Sequence, residues 1–509
     1  MFFKGLKKTI CLLLVSILCV MTALPVFAQD LPVDEIDATV LEAMEKAKIS
    51  SVSVVIVQGD DVSYLSYGFR DNAKTAKTDE ATLYQIGSIS KGFTALGILL
   101  LEDEGKLSID DPVSKYIPWF TATYQGSEVK PADFKIENLL HQTSGFTNYE
   151  ILYPSAKPDM SLEDFARSMS GRELSFYPSK GYAYANANYN LLGYIIEVVS
   201  GQTYENFMKE RIFTPLGLNE TYAVAQEATD TGLTAQGSRL TFFRSWPYTT
   251  RISKGGIPAG YLYSTARDLG RWMQIQMGLA EVSPQFERLI EKSHVIGMPH
   301  GADDSTSYAC GWYVTDTGEI YHAGGTPNYS SLVYMKKDSS TAVGVLTNIN
   351  ASADTADLCD NIFAVLEGKP TKPYRTDIWT IFDTIYSAIT LVCLGLLAFL
   401  LIYIVRVILQ YKKALRTKQK FKMRWKLALA CLPLVISVVM IIIIPGTFGG
   451  RWGDVLTWGP YSIPIGLASL FVVSILLLGA VVTGQTHPKI SKSRKEDKYD
   501  NSKDAAGTT

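Results

Sequence analysis

The chain predicts an α+β fold: an antiparallel sheet flanked by helices, with a large helical insertion between two sets of strands, followed by three transmembrane helices. Three observations predict it. β-rich runs cluster near both ends of residues 29–368, the stretch between them is helical and loop-like, and three long uncharged apolar segments come after.

The elements follow in order. Residues 1–28 read as a secretory signal. Lys4, Lys7 and Lys8 form a basic start, Thr9 to Leu24 an apolar run, and Val26-Phe27-Ala28 a small-residue cleavage site, so the mature chain begins at Gln29. The run is shorter than the ~20 residues a membrane span needs, which disfavours an uncleaved anchor. Asp34 to Lys48 reads as an amphipathic helix with Ile36, Val40, Leu41 and Met44 on one side. Ser51–Val57 and Val62–Phe69 read as strands joined by Gln58-Gly59-Asp60-Asp61, a hairpin signal. Gly311–Asp316, Tyr329–Met335 and Thr341–Asn348 again read as strands, and a helix runs from Asp354 to Leu366. The helical insertion spans roughly Ser88 to Gln285. Pro370 and Pro373 mark a linker, 369–383.

The three apolar segments are Thr384–Val405, Leu427–Gly446 and Ile463–Gly484. Each is long enough to cross a hydrocarbon core of ~30 Å. Nine basic residues lie between the first two, from Arg406 to Lys426, and only Arg451 lies between the second and third. Six more follow the third, from Lys489 to Lys503. The positive-inside rule puts the first loop and the tail in the cytoplasm and the domain 29–368 outside, a multi-pass cell-membrane protein in contact with lipid. The tail, 485–509, is charged, lacks large aliphatic residues beyond Ile490 and reads as disordered.

A formal net charge of −2 conceals an acidic exported region and a basic membrane region. An acidic exported domain argues against nucleic acid, whose phosphates require clustered basic residues. Cys11 and Cys19 leave with the signal, and Cys393 and Cys431 lie in spans. Cys310 and Cys359 remain, either as a disulfide or as two buried thiols. No C-x-x-C or H-E-x-x-H pattern is present, so the expectation is no metal and no cofactor.

Ser88 and Lys91, in Gly87-Ser88-Ile89-Ser90-Lys91, stand one helical turn apart at the start of a helical run. A serine hydroxyl becomes a nucleophile when a neighbouring base takes its proton, and a lysine in a dry site can be that base. The alternative is an N-cap serine. The second S-x-x-K pair, Ser127 and Lys130, is followed by Pro131 and no helical run. Tyr184 and Asn186, in Tyr184-Ala185-Asn186, offer a proton relay and a hydrogen bond to the lysine or substrate. His322, Gly324 and Gly325, in His322-Ala323-Gly324-Gly325, lie beside a strand, where small residues let a substrate backbone approach. The N–H groups of Ser88 and Gly325 are candidates for an oxyanion hole. His141, Ser144 and Gly145 read as a structural turn.

In order and spacing these stretches resemble the serine β-lactamase and penicillin-binding superfamily, with its S-x-x-K, S-D-N and K-T-G elements. Y-A-N in second place and H-A-G in third resemble the class C and D-aminopeptidase/esterase branch. The resemblance covers Asp34 to Gly368. The whole chain is also similar to membrane-anchored D-amino-acid peptidases of the colibactin-maturing type, through Trp458-Gly459-Pro460 before the third span and the stretches GIPAGYLYSTARDLGRWM, ACGWYV and HAGGTPNYSS. The resemblance implies a two-step acyl transfer: Ser88 attacks, Lys91 and Tyr184 move protons, and His322 orients the substrate. Asn186, Gly324, Gly325 and Asn328 complete the implied binding set. Asn186 and Gly256 stand where that type has a serine and a histidine, so the chemistry carries over rather than the D-asparagine specificity. The implied substrates are small molecules or peptides bearing D-amino-acid amides or esters. A β-lactamase, a DD-carboxypeptidase and a penicillin-binding sensor without turnover are the alternatives.

Overall fold

Seven strands form one antiparallel sheet: β1 (Ser51–Gln58), β2 (Asp61–Gly68), β3 (Thr306–Tyr308), β4 (Tyr313–Thr315), β5 (Ile320–Thr326), β6 (Tyr329–Lys336) and β7 (Thr341–Thr347). Their order across the sheet is β3-β4-β5-β6-β7-β1-β2. The chain's first and last strand sets therefore meet at the β1–β7 pairing, with Val54 opposite Val345. The computed structural model describes residues 31–147, 159–298, 305–412, 416–418, 424–448, 450–483 and 486–488. The expected leader and the tail from Lys489 lie outside the described residues.

Five helices matter to the sheet domain: α1 (Val33–Ala47), α2 (Ser90–Asp103), α3 (Asn186–Ser200), α4 (Ala266–Met277) and α5 (Ser352–Leu366). β1 is buried on both faces, which is why it reads as a continuous apolar run. Val52, Val54 and Ile56 join a core with Ile36 and Val40 of α1 and Leu358 and Ile362 of α5. Val55 and Val57 point the other way, into a larger core with Trp272 and Met273 of α4. The period of two along one strand thus separates two helical layers.

Every residue from Ser90 to Leu101 is buried. The helix lies inside the insertion, with Phe93 stacked on Trp272 at 4.1 Å between ring centroids. Burying each of its large aliphatic side chains stabilises the fold by about 1.5–3 kcal/mol, so the start of α2 is a firm mount.

Cys310 and Cys359 are free thiols in different cores, one on each side of the sheet, and form no disulfide.

The membrane region contains α6 (Ile378–Lys412), α7 (Arg424–Thr447) and α8 (Ser462–Thr483). All three are long and apolar enough to cross a membrane. Val392, Phe399 and Ile442 are among many large apolar side chains they expose. The expected linker, 369–383, is shorter than predicted because α6 begins at Ile378. Its remainder is tied down. Lys46 donates to the carbonyls of Tyr374 and Arg375, both at 2.5 Å, Tyr374 Oη donates to the Thr39 carbonyl at 2.8 Å, and Arg375 pairs with Asp357 at 2.6 Å.

Candidate active site

Ser88 sits in a 3₁₀ turn, Gly87–Ile89, that runs directly into α2. Two contacts fix the approach: Ser331 Oγ donates to the Ile86 carbonyl at 2.8 Å, and Ile86 N–H donates to the Leu262 carbonyl at 3.0 Å. Gly87 is in the left-handed region at φ +52°, and a Cβ there would lie 2.4 Å from the nitrogen of Gly325. A Cβ on Gly324 would lie 2.1 Å from the Ile86 oxygen. The two glycines let β5 press against the serine turn, and no other residue fits at either place. Gly325 is open on that side, where a Cβ would meet only Ser352 Oγ, at 3.3 Å. β4 pairs only with Ile320 and Tyr321 of β5, so the edge of β5 from His322 to Thr326 extends past the end of that strand.

Lys91 is completely buried. Its Nζ lies 3.0 Å from Ser88 Oγ, 2.7 Å from Asn186 Oδ1 and 2.6 Å from the Ala259 carbonyl oxygen. Burial holds the pKa of this amine well below the ordinary lysine value. A neutral amine has two N–H donors and one lone pair. The Asn186 and Ala259 oxygens take the donors, which leaves the lone pair for the hydroxyl proton of Ser88. The arrangement can therefore activate the serine without an ionic partner.

Tyr184 lies two residues before α3, next to its N-cap, Ala185. Lys91 Nζ lies 4.8 Å from its ring centroid. The ring is bounded by Tyr308 at 6.0 Å, Tyr313 at 6.5 Å and His322 at 6.1 Å between centroids. Gln142 holds the backbone on both sides of it. Ala183 N–H donates to the Gln142 carbonyl and Ala185 N–H to Gln142 Oε1, each at 3.0 Å. Sequence reasoning missed Gln142 and the Ala259 carbonyl, although both lie in stretches it had singled out.

Two residues expected to contact substrate, His322 and Asn328, are buried. His322 is 2% exposed; its Nδ1 is 2.7 Å from the Ala323 carbonyl and its Nε2 3.2 Å from Tyr308 Oη. Burial pushes its pKa down to about 3, so the ring is neutral. It backs Tyr184 and carries no charge for a carboxylate. Asn328 is also buried. It accepts from Thr250 Oγ1 at 3.0 Å and donates to the Tyr248 carbonyl at 2.9 Å, so it braces the β5–β6 turn. Ser127 and Glu128 form an exposed strand end far from this chemistry in character, with Lys130 just before a separate turn. Ser144 Oγ donates to Asn188 Oδ1 at 2.7 Å and Gly145 has φ +94°, which fits the structural turn expected of that stretch.

A serine and a buried lysine at the head of a central helix, beside a glycine strand, define a protein of the β-lactamase/transpeptidase fold. The family model described as beta-lactamase matches residues 36–367, and the chain belongs to that family. Protein flp of Staphylococcus aureus (strain MW2) is 27% identical over 475 residues, covering 90% of this chain and 92% of that protein, so the likeness continues past the sheet domain. Among solved structures, an octameric penicillin-binding protein homologue from Pyrococcus abyssi superposes with a TM-score of 0.58 at 24% identity, over 70% of this chain and 81% of that one. The D-alanine carboxypeptidase AmpC from Burkholderia cenocepacia gives 0.55 at 21%, over 65% and 98%. At these identities the structures establish the shared fold.

Proposed function

We propose that this is a membrane-anchored serine hydrolase whose domain 29–368 works outside the cytoplasm on amides or esters of D-amino acids. The observation that carries the reading is the amine of Lys91, buried, beside Ser88 and without an ionic partner. Ser88 Oγ attacks the substrate carbonyl carbon as its proton passes to Lys91. The oxygen that becomes negative is received by the N–H groups of Ser88 and Gly325. The C–N or C–O bond then breaks, and Tyr184 or Lys91 protonates the leaving amine or alkoxide. Water attacks the acyl-serine and releases the acid, returning the proton to Ser88.

The D-amino-acid class is supported by the Y-A-N and H-A-G pattern and by the fold shared with a protein described as a D-alanine carboxypeptidase. The test uses the purified full chain with chromogenic D-Ala and D-Asn substrates, a chromogenic cephalosporin and a fluorescent penicillin. Turnover of the D-amino-acid substrates, lost in Ser88→Ala, is the expected result. Turnover of the cephalosporin alone would make the protein a β-lactamase. A stable penicillin adduct with no turnover would make it a sensor.

A further inference from the structure

One hairpin belongs neither to the main sheet nor to the catalytic cluster. Its arms are Ser238–Thr241 and Arg244–Pro247, and its turn is Phe242-Phe243. Both phenylalanines are left-handed, at φ +52° and +62°. This is the turn conformation that Asn-Gly normally supplies, and each bulky residue costs about 1–2 kcal/mol to hold there. Asp383 of α6, itself buried, holds it: the N–H groups of Phe242 and Phe243 donate to its two carboxylate oxygens at 2.8 and 2.7 Å.

The hairpin also grips the head of α8. Thr241 Oγ1 accepts from Tyr461 N–H at 3.2 Å. The guanidinium of Arg239 lies 3.4 Å over the Tyr248 ring and 4.4 Å over that of Tyr461, donates to the Leu456 carbonyl at 2.8 Å, and bonds the Thr457 carbonyl. Asp383 directly precedes the uncharged run that starts at Thr384, and Tyr461 directly precedes α8. The turn therefore stands level with the point where the uncharged run of α6 and the helix α8 begin. At that level it exposes Phe243 (45%) and Trp246 (52%), with Arg244 exposed between them. Aromatic and arginine side chains together suit the boundary between lipid headgroups and acyl chains.

We infer that this hairpin is a foot standing in the outer headgroup layer of the bilayer that α6, α7 and α8 cross, with Phe243 and Trp246 among the upper acyl carbons and Arg244 against lipid phosphate. The inference rests on reading the three helices as spans. The occupant is lipid rather than protein because the patch hangs from Asp383, where the uncharged run of α6 with its exposed Ile385, Leu391 and Val392 begins. A turn left-handed at two phenylalanines gains nothing from water, whereas a membrane boundary rewards rings at that place.

The test replaces Phe243, Trp246 and Phe399 one at a time with p-benzoylphenylalanine, in the full chain reconstituted in nanodiscs of phosphatidylethanolamine and phosphatidylglycerol. Irradiation and mass spectrometry then identify adducts. Phospholipid adducts at all three positions are expected. Adducts at Phe399 without any at Phe243 and Trp246 overturn the foot and leave the spans standing. Adducts from Phe243 or Trp246 to a second copy of the protein in place of lipid overturn it as well. No lipid adduct at Phe399 overturns the spans, and the foot with them.

Discussion

Lys91 Nζ stands 3.0 Å from Ser88 Oγ, and burial alone sets the state of the amine. In the proposed mechanism the lysine acts as a base through exclusion of water, with no neighbouring cation needed. Ser88→Ala and Lys91→Met should each lower turnover by about 10³-fold or more, because nucleophile and base act as a unit. Their effects should not multiply in the double variant. Steady-state rates, with thermal melts to confirm folding, check this.

The same burial sets a pH dependence. The active amine is neutral, so kcat/KM should rise with pH through a value well below the ordinary pKa of lysine, 10.5. A pH profile of the full chain measures it. A rising limb at the ordinary lysine value would rule out Lys91 as the base.

Tyr184→Phe keeps the ring contacts to Tyr308, Tyr313 and His322 and removes only the hydroxyl. The rate should fall about 10²–10⁴-fold if that hydroxyl transfers the proton. The melting temperature should scarcely move.

Gly87→Ala places a methyl 2.4 Å from the nitrogen of Gly325 on a backbone at φ +52°. The left-handed conformation alone costs roughly 1–2 kcal/mol. Displacement of the Gly325 N–H should reduce the rate by about 10²–10³-fold, the usual effect of losing one oxyanion donor. Urea unfolding and rate measurement on the same sample separate the two losses.

His322 supplies a test in acid. Its folded pKa is about 3 against 6.5 ordinarily. In that window the unfolded chain binds a proton that the folded chain refuses, so stability falls as pH drops from about 6.5 toward 3. Substituting His322 with Gln should flatten that part of a plot of melting temperature against pH. His294, also held to about 3, should keep the remainder of the slope.

Five of the sheet's seven strands were legible because they alternate or run apolar; β3 was not read, and β5, with its glycines, was read as lying beside a strand. The proposed nucleophile and base were legible because Ser88, in the 3₁₀ turn, and Lys91, at the start of α2, lie one turn apart. What escaped came from other parts of the chain. The Ala259 carbonyl reaches Lys91 through backbone, which carries no sequence signature. Gln142 steadies Tyr184 through two backbone bonds that only the fold creates. His322 and Asn328 read as contacts for substrate because both are polar beside a glycine strand. Both are buried, and burial at a single polar residue is not written in its neighbours. The outer docking of the hairpin onto Asp383 joins residues that composition treats as belonging to different compartments.

The tie between the first helix and the segment before α6 has one further consequence. With Lys46 bound to the carbonyls of Tyr374 and Arg375, and Arg375 to Asp357, the domain has almost no leash. A flexible tether would let an enzyme sweep a hemisphere above its anchor. On the proposed reading of α6 as a membrane span, this tie would hold the domain at a single height and tilt, and substrates would have to come to it.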